Sequence, residues 1–174
     1  MTLEDLGWNK FFAGEFASYA GQGLVAGRLI RETKINFSAL LEGGEEIDCV
    51  LGGKVWHEAE TDADLPAVGD WVALDRGAEG DEAIIRGRFP RSSRFSRKVP
   101  GKSAQEQVIA ANVDIVVVVT DPGPDHSPRR IERYLMLIER CGAKPVVLLN
   151  KADLFPSLLI DSQYLFDVFG TQAS

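Results

Sequence analysis

The stretch from Val113 to Val119 constrains the fold of this chain most strongly, because it is apolar and β-branched except for Asp114. Such a run is typical of a strand buried on both faces, as in a parallel sheet. A helix is predicted to follow: Ser127 is a suitable N-cap, Pro128 occupies the first helical position and Gly142 ends the helix.

This helix is amphipathic and leads into a second buried strand. The apolar positions that share one helical face are Ile131, Tyr134, Leu135, Ile138 and Cys141. A strand from Pro145 to Leu149 comes next, so the segment predicts a parallel, right-handed βαβ unit. Arg129, Arg130 and Arg133 lie near the start of the helix. Two roles are possible for their side chains: they form a solvated face, or they contact RNA or another domain.

A different pattern precedes this unit, since residues 23–89 hold short runs of β-formers separated by glycine-rich turns. The runs are Leu24–Arg31, Ile35–Leu41, Glu46–Leu51, Asp70–Asp75 and Glu82–Phe89. Five short strands in about 70 residues predict a small closed or partly closed β-barrel. Residues 3–19 predict a short amphipathic helix or arm before it. Trp71 is expected to pack in the barrel, with an exposed stacking role as the alternative.

Charge is distributed unevenly along the chain. The formal net charge is −7, yet residues 86–102 contain seven basic residues and no acidic ones. This basic strip comprises Arg86, Arg88, Arg91, Arg94, Arg97, Lys98 and Lys102, the candidate RNA-binding residues. A basic strip on an acidic body indicates one localised anionic contact. Residues 90–102 are predicted to be a loop, which places a domain boundary near residue 100 and divides the chain into residues 1–100 and 101–174.

Several classes of protein fit the sequence poorly. No apolar run approaches the roughly 20 residues of a membrane helix, and the first ten residues do not form a secretory signal. Cys49 and Cys141 are expected to be buried thiols in a reducing compartment, since two distant cysteines define neither a disulfide framework nor a zinc site. His57 and His126 have no partners at metal-ligand spacing, so no metal site is predicted.

The predicted second strand ends in Asn150-Lys151-Ala152-Asp153, a pattern whose chemistry suits guanine. Ligands of open α/β sheets bind at the carboxyl ends of the strands. An Asp carboxylate accepts two hydrogen bonds, and guanine presents the adjacent donors N1–H and N2–H₂, which adenine lacks. Asn150 can hold the base edge and the Lys151 stem can cover the ring. The alternative is a polar loop in which Asp153 only caps a helix.

No phosphate loop accompanies this motif in the chain. Gly101-Lys102-Ser103 resembles the end of one, but Ser96 stands where the pattern needs a glycine and no buried strand precedes it. Asp121 belongs to an Asp-Pro-Gly sequence and is interpreted as a turn residue, with a position facing the nucleotide cleft as the alternative.

Five segments, in matching order, resemble the RsgA (YjeQ) family: LEDLGW, LPAVGDWV, FSRK with EQVIAANVDIVVVV, RRIERYL and PVVLLNKADL. The resemblance covers about residues 3–155. It implies an OB-fold β-barrel followed by the first βαβ part of a circularly permuted P-loop GTPase domain. In that family the guanine motif comes first, and the phosphate loop, its Mg²⁺ and a zinc-binding domain follow.

The resemblance implies a GTP-dependent factor in late maturation of the small (30S) ribosomal subunit, acting in the cytoplasm. Asn150, Lys151 and Asp153 would contact the guanine of GTP or GDP, and the basic strip and barrel would contact ribosomal RNA. Without a phosphate loop, the chain is expected to be a truncated form that does not hydrolyse GTP alone. Its tail, with Tyr164, Leu165, Phe166, Val168 and Phe169, is then expected to favour self-association. The alternatives are a stand-alone OB-fold RNA-binding module and a protein-binding barrel that uses its acidic surface.

Overall fold

The computed structural model describes residues 1–19, 21–33, 36–78, 81–98, 106–121, 123 and 126–154, with Lys98 and Ala152 described by their backbone alone. The chain divides into two compact units, Met1–Val113 and Asp114–Ser174. The division falls later in the chain than the boundary expected near residue 100. The division falls later because residues 94–98 and 106–111 form a hairpin, described below, that belongs to the barrel unit.

The first unit is built on a closed five-stranded barrel with the strand order β1-β2-β3-β5-β4. Its strands are β1 (Val25–Glu32), β2 (Phe37–Leu41), β3 (Glu46–Leu51), β4 (Trp71–Asp75) and β5 (Ala83–Arg88). Neighbouring strands are antiparallel, including the closing pair of β1 and β4, except that β3 and β5 run parallel. This topology is that of an OB fold, as the sequence predicted.

Apolar side chains from all five strands fill the barrel. Leu29, Ala39, Cys49, Val72 and Ile85 are members of this core, and each is 1% exposed or less. Burial raises the pKa of the Cys49 thiol to about 12, so this cysteine is an inert core residue. A short helix, α2 (Gly53–Glu58), follows β3 and places Val55 against the same core. Cys141, in the second unit, is only half-buried.

An N-terminal arm covers the outer face of β4. The arm contains a 3-10 turn (Glu4–Leu6), helix α1 (Lys10–Phe16) and a second turn (Ala17–Tyr19). Because side chains alternate along a strand, Trp71 points away from the interior that Val72 occupies. The Trp71 ring contacts Trp8, with centroids 4.7 Å apart, and it is fully buried. The expectation that Trp71 packs inside the barrel is therefore wrong, because the arm buries it on the outside.

The basic segment after the barrel is a strand rather than the predicted loop. Strand β6 (Arg94–Lys98) pairs antiparallel with β7 (Glu106–Ala111) in a two-stranded sheet. The polar composition of β6 suggested a loop, but β7 supplies the backbone partners that such a segment needs to be a strand. Residues 99–105 between the two strands lie outside the described part of the chain. This β6–β7 hairpin carries the exposed basic residues discussed below.

The second unit contains the βαβ motif that the sequence predicted. Strands β8 (Ile115–Thr120) and β9 (Lys144–Leu149) are parallel neighbours, and helix α3 (Pro128–Cys141) connects them. The helix buries Ile131 and Leu135 against the sheet, next to Val147. Ser127 occupies the N-cap position but its side chain makes no capping hydrogen bond.

Only one face of this small sheet is covered within the described residues. Side chains alternate between half-buried and exposed along both strands, and Val117 and Val119 are 50% and 60% exposed. The expectation of strands buried on both faces is therefore wrong for the described part, because α3 packs on one side and no described element lies on the other. The apolar tail from Tyr164 to Phe169, to which self-association was assigned, lies outside the described residues.

Candidate functional site

The carboxyl ends of β8 and β9 lie side by side at one edge of the second unit. The strands are in register, with Thr120 opposite Leu149. The ladder continues one residue further, because the Asn150 amide donates to the Thr120 carbonyl oxygen at 2.7 Å. Asp121 and Asn150 therefore begin adjacent loops, which is where open α/β sheets bind ligands.

The loop after β9 has a defined turn geometry. The Asn150 side-chain oxygen accepts a hydrogen bond from the Lys151 amide at 3.0 Å, and Lys151 adopts a left-handed conformation with φ of 55°. A 3-10 turn, Ala152–Leu154, follows directly, and the Leu154 amide donates to the Lys151 carbonyl at 3.1 Å. Residues 150–153 thus form a tight turn directly after the strand.

The three polar side chains of this loop face solvent. Asn150, Lys151 and Asp153 are all exposed. Among the described residues, the Asp153 carboxylate has no hydrogen-bond or ion-pair partner, so both of its oxygens are available to a ligand. The alternative interpretation of Asp153 as a helix cap therefore has no supporting hydrogen bond in the described part of the chain.

The neighbouring loop after β8 is organised by Asp121. Its carboxylate accepts a hydrogen bond from the Gly123 amide at 2.9 Å, which closes a turn of the Asx type. The Asp121 carbonyl oxygen also lies 3.1 Å from the Nδ1 atom of His126. The interpretation of Asp121 as a turn residue is confirmed, and one oxygen of its carboxylate accepts from the backbone of its own loop.

The basic strip divides into residues with different environments, and Arg91 does not fit the predicted role. Its side chain is 7% exposed and forms a bidentate ion pair with Asp70, which is fully buried; the two hydrogen bonds measure 2.8 and 2.6 Å. Arg91 also donates to the carbonyl oxygens of Ala63 and Leu65 at 2.7 and 2.8 Å. Because its donors are used inside the protein, Arg91 cannot contact RNA in this conformation and is a structural residue.

Arg86 and Arg88 are engaged in contacts on the barrel. Arg86 is 47% exposed and pairs with Asp75 at 2.6 Å, a hydrogen bond that lowers the pKa of Asp75. Arg88 donates to the carbonyl oxygens of Asp64 and Phe89 at 3.2 and 2.9 Å. Burial lowers the pKa of the Arg88 guanidinium, as expected for a cation taken partly out of water.

The β6–β7 hairpin carries the most accessible cations of the strip. Arg94 and Arg97 are exposed, and Arg97 contacts the side-chain oxygen of Gln107 at 3.2 and 3.4 Å. Neither arginine forms an ion pair with a described residue. Lys98 ends β6, and Lys102 lies outside the described residues. The candidate RNA surface is thereby reduced to the hairpin, with Arg94 and Arg97 as its described members.

The hairpin is held on the barrel by residues that the sequence patterns did not single out. Asn112 has φ of 54°, and its side-chain oxygen accepts from the Ser92 amide at 2.8 Å while its side-chain nitrogen donates to the Gly69 carbonyl at 3.0 Å. Arg28 donates to the Asn112 carbonyl at 2.9 Å and to the Leu6 carbonyl of the arm. These contacts join residues far apart in the chain, so no local signal predicted them.

Neither a metal-binding cluster nor a membrane-spanning helix occurs among the described residues. They contain no group of three or more His, Cys, Asp or Glu side chains placed to hold a metal ion. In the same part of the chain, no helix is long and apolar enough to cross a membrane.

Comparison with known proteins identifies the family of this chain. The family model described as RsgA GTPase matches residues 88–165, a range that includes the hairpin and the βαβ unit. A protein of Opitutus terrae named small ribosomal subunit biogenesis GTPase RsgA is 42% identical over 164 residues, which is 90% of this chain. The chain belongs to the RsgA GTPase family. Identically named relatives in Syntrophotalea carbinolica and Streptomyces avermitilis are 41% and 35% identical over 90% and 95% of the chain.

The chain spans less than half the length of these RsgA relatives, since it covers 44%, 44% and 43% of the three proteins. Its OB-fold barrel and βαβ unit agree with the family architecture that the sequence segments implied. The match to the RsgA family includes Asn150, Lys151 and Asp153, which lie inside the range of the family model.

Proposed function

We propose that this chain supplies the guanine-binding motif and an RNA-binding surface of a GTP-dependent factor for maturation of the small ribosomal subunit in the cytoplasm. The observation that carries the proposal is the placement of Asn150, Lys151 and Asp153 at the carboxyl end of β9, beside the end of β8. The names of the relatives support the choice of partner. GTP and GDP are the proposed ligands.

Guanine selectivity follows from the free carboxylate of Asp153. Its two oxygens accept from N1–H and N2–H₂ of guanine, whereas adenine offers no such donor pair. Hydrogen bonds to a charged group contribute about 1.5–3 kcal/mol each, so each bond corresponds to roughly tenfold or more in affinity. Asn150 and the Lys151 stem bind the base edge and ring face, and they require no phosphate contact to do so. We expect no GTP hydrolysis by this chain alone, because its sequence lacks a phosphate loop.

Nucleoside monophosphates test the base specificity directly. At millimolar concentration, GMP is expected to shift the NMR amide signals of residues 150–154, and AMP is expected to bind at least about tenfold more weakly. Asp153→Asn should reverse the preference towards xanthosine monophosphate, because the amide donates to the 2-keto oxygen of xanthine and still accepts from its N1–H. The measurement is a titration of each variant with GMP, AMP and xanthosine monophosphate.

The matched control is Asp121→Asn, which alters the neighbouring carboxylate whose oxygen is occupied by Gly123. It should leave the ratio of GMP to AMP affinity unchanged. Equal shifts by GMP and AMP in the unaltered chain would contradict the guanine assignment and favour the stand-alone RNA-binding module.

The hairpin is the proposed RNA-binding surface. Arg94 and Arg97 project from β6 without ion-pair partners among the described residues, while the rest of the chain is strongly acidic. Arginine forms bidentate hydrogen bonds with phosphate, and such contacts release counterions. This explains how a chain of net charge −7 binds a polyanion at one place.

Binding to purified small ribosomal subunits tests this surface. The Arg94→Glu/Arg97→Glu double variant is expected to bind at least tenfold more weakly near 0.1 M salt. The slope of log affinity against log salt should become smaller in magnitude by about 1.5, because each of the two lost phosphate contacts contributes roughly 0.7–0.9. Lys54→Glu is the control, since Lys54 is an exposed cation on α2, outside the hairpin. A double variant that binds like the Lys54→Glu control would rule out the hairpin as the contact.

A further inference from the structure

The solvent face of α3 carries a straight row of cations that the guanine motif and the hairpin do not use. Arg129, Arg133, Met136 and Arg140 are spaced i, i+4, i+7 and i+11, so they align along one side of the helix. All four are exposed, and at 1.5 Å per residue the row is about 16 Å long. By helical periodicity it lies opposite Ile131, Leu135 and Ile138, the buried residues of α3. We call this row the α3 arginine stripe.

The stripe is not neutralised by the acidic residues of its own helix. Glu132 and Glu139 lie on α3, yet within the described part of the chain no salt bridge joins a carboxylate to Arg129, Arg133 or Arg140. Three guanidinium groups therefore present their donors to solvent in a chain that is acidic as a whole.

Arg129 lies at a position where a cation is electrostatically unfavourable. It is the second residue of α3, in a first turn that holds no acidic side chain. The amino end of a helix has a partial positive charge, so a cation there is unfavourable and a carboxylate would be favourable. A residue that served only to solvate the helix would be better as Asp or Glu at this position. An anionic partner at this end of the helix would offset that cost.

One apolar side chain lies within the row of cations, since Met136 is 58% exposed. Tyr134 is 43% exposed but is not part of the stripe, because it lies about 100° round the helix from Arg133, towards the buried face. Arginine forks bind phosphate oxygens, so three guanidinium groups in one row fit the phosphate backbone of RNA, the anionic partner that the proposed function supplies.

We propose that the α3 arginine stripe is a second RNA-contact surface, which binds the phosphate backbone of small-subunit RNA independently of the β6–β7 hairpin. The choice of this RNA rests on the proposed function. The stripe adds to that function a contact on the βαβ unit, so that both units of the chain contact RNA.

The test measures stability and binding in the same variants, using the whole chain and purified small ribosomal subunits. Arg129→Glu should raise the melting temperature, because it places a carboxylate at the helix amino end, and should weaken binding about threefold or more. The Arg129→Glu/Arg133→Glu/Arg140→Glu variant should bind at least tenfold more weakly near 0.1 M salt, with a salt slope smaller by about 2–3. Lys54→Glu changes the net charge by the same two units as Arg129→Glu and is the charge control for that single variant.

The hairpin double variant in the same assay separates the two proposals. If the triple variant binds like the control while the hairpin variant is weakened, the stripe is refuted and the hairpin stands. If only the triple variant is weakened, the stripe is supported and the hairpin is refuted. If the chain does not bind subunits even at low salt, both are refuted. A fall in both melting temperature and affinity for Arg129→Glu would also overturn the stripe, since the loss of binding would then follow from damage to α3.

Discussion

Arg91→Met is expected to destabilise the barrel unit by about 3–5 kcal/mol, although Arg91 belongs to the basic strip in which Arg86, Arg94 and Arg97 are exposed. The change leaves the Asp70 carboxylate buried at 0% exposure without its counter-ion. It also removes the donors to the carbonyl oxygens of Ala63 and Leu65. Methionine keeps most of the side-chain volume, so the loss reports the charge and hydrogen bonds rather than a cavity.

Urea unfolding followed by tryptophan fluorescence measures this effect, because Trp71 and Trp8 are packed together on the barrel. The matched control is Arg86→Met, which breaks the exposed pair with Asp75 and should change the free energy of unfolding by about 1 kcal/mol or less. An Arg91→Met variant as stable as the Arg86→Met control would show that the buried pair is replaceable, and the structural role of Arg91 would be lost.

The contrast between Arg91 and Arg86 shows which feature of the basic strip could not be predicted from the sequence. Both belong to a run of seven basic residues, and nothing in the local pattern distinguishes them. What separates them is a partner distant in sequence. Asp70 precedes β4 and Arg91 follows β5, and the antiparallel pairing of these strands brings the two side chains together. A net count of charges therefore predicted a localised anionic contact but overestimated the number of residues available for it.

Local signals did predict the elements of the fold. The five barrel strands differ from their predicted ranges by two residues or fewer at either end, because glycine-rich turns and apolar alternation are encoded in neighbouring residues. The βαβ unit was predicted for the same reason. The location of Trp71 was not predicted. The alternation of side chains along β4 defines two faces of the strand, but it does not indicate that the N-terminal arm covers the outer face. The strand β6 was missed because its pairing with β7 is a tertiary feature of a polar segment.

The proposed guanine motif was predictable in composition and in part in geometry. A strand followed by Asn150-Lys151-Ala152-Asp153 places these residues at the carboxyl edge of a sheet without any coordinates. The left-handed backbone of Lys151 and its hydrogen bond to the Asn150 side chain were not predictable, since lysine has no preference for positive φ. The Asn150 side chain that organises this turn is the same group assigned to the base edge. Its oxygen accepts from the Lys151 amide, so its NH₂ group is the part expected to donate to the O6 and N7 acceptors of guanine.

Gly69→Ala is the second large effect, with an expected loss of about 3–4 kcal/mol in the stability of the barrel unit. Gly69 has φ of 91°, and a β-carbon there would lie 2.1 Å from the carbonyl oxygen of Ala111. The neighbouring backbone is fixed, because the Ala111 amide donates to the Val68 carbonyl at 2.9 Å and Asn112 donates to the Gly69 carbonyl at 3.0 Å. The alanine cannot be accommodated unless the end of β7 moves off the turn.

A control separates the backbone strain from this collision. Gly23 also has positive φ, of 72°, but no atom lies within 4 Å of a β-carbon built there. Gly23→Ala should therefore cost only the strain, about 1–2 kcal/mol, and leave amide exchange in β7 unchanged. Gly69→Ala should in addition speed exchange at the Ala111 and Asn112 amides and weaken binding to small ribosomal subunits, because the hairpin that carries Arg94 and Arg97 loses its attachment. Equal losses of stability for the two variants would mean that the hairpin moves readily at this contact, and the barrel would then not fix the position of the proposed RNA-binding arginines.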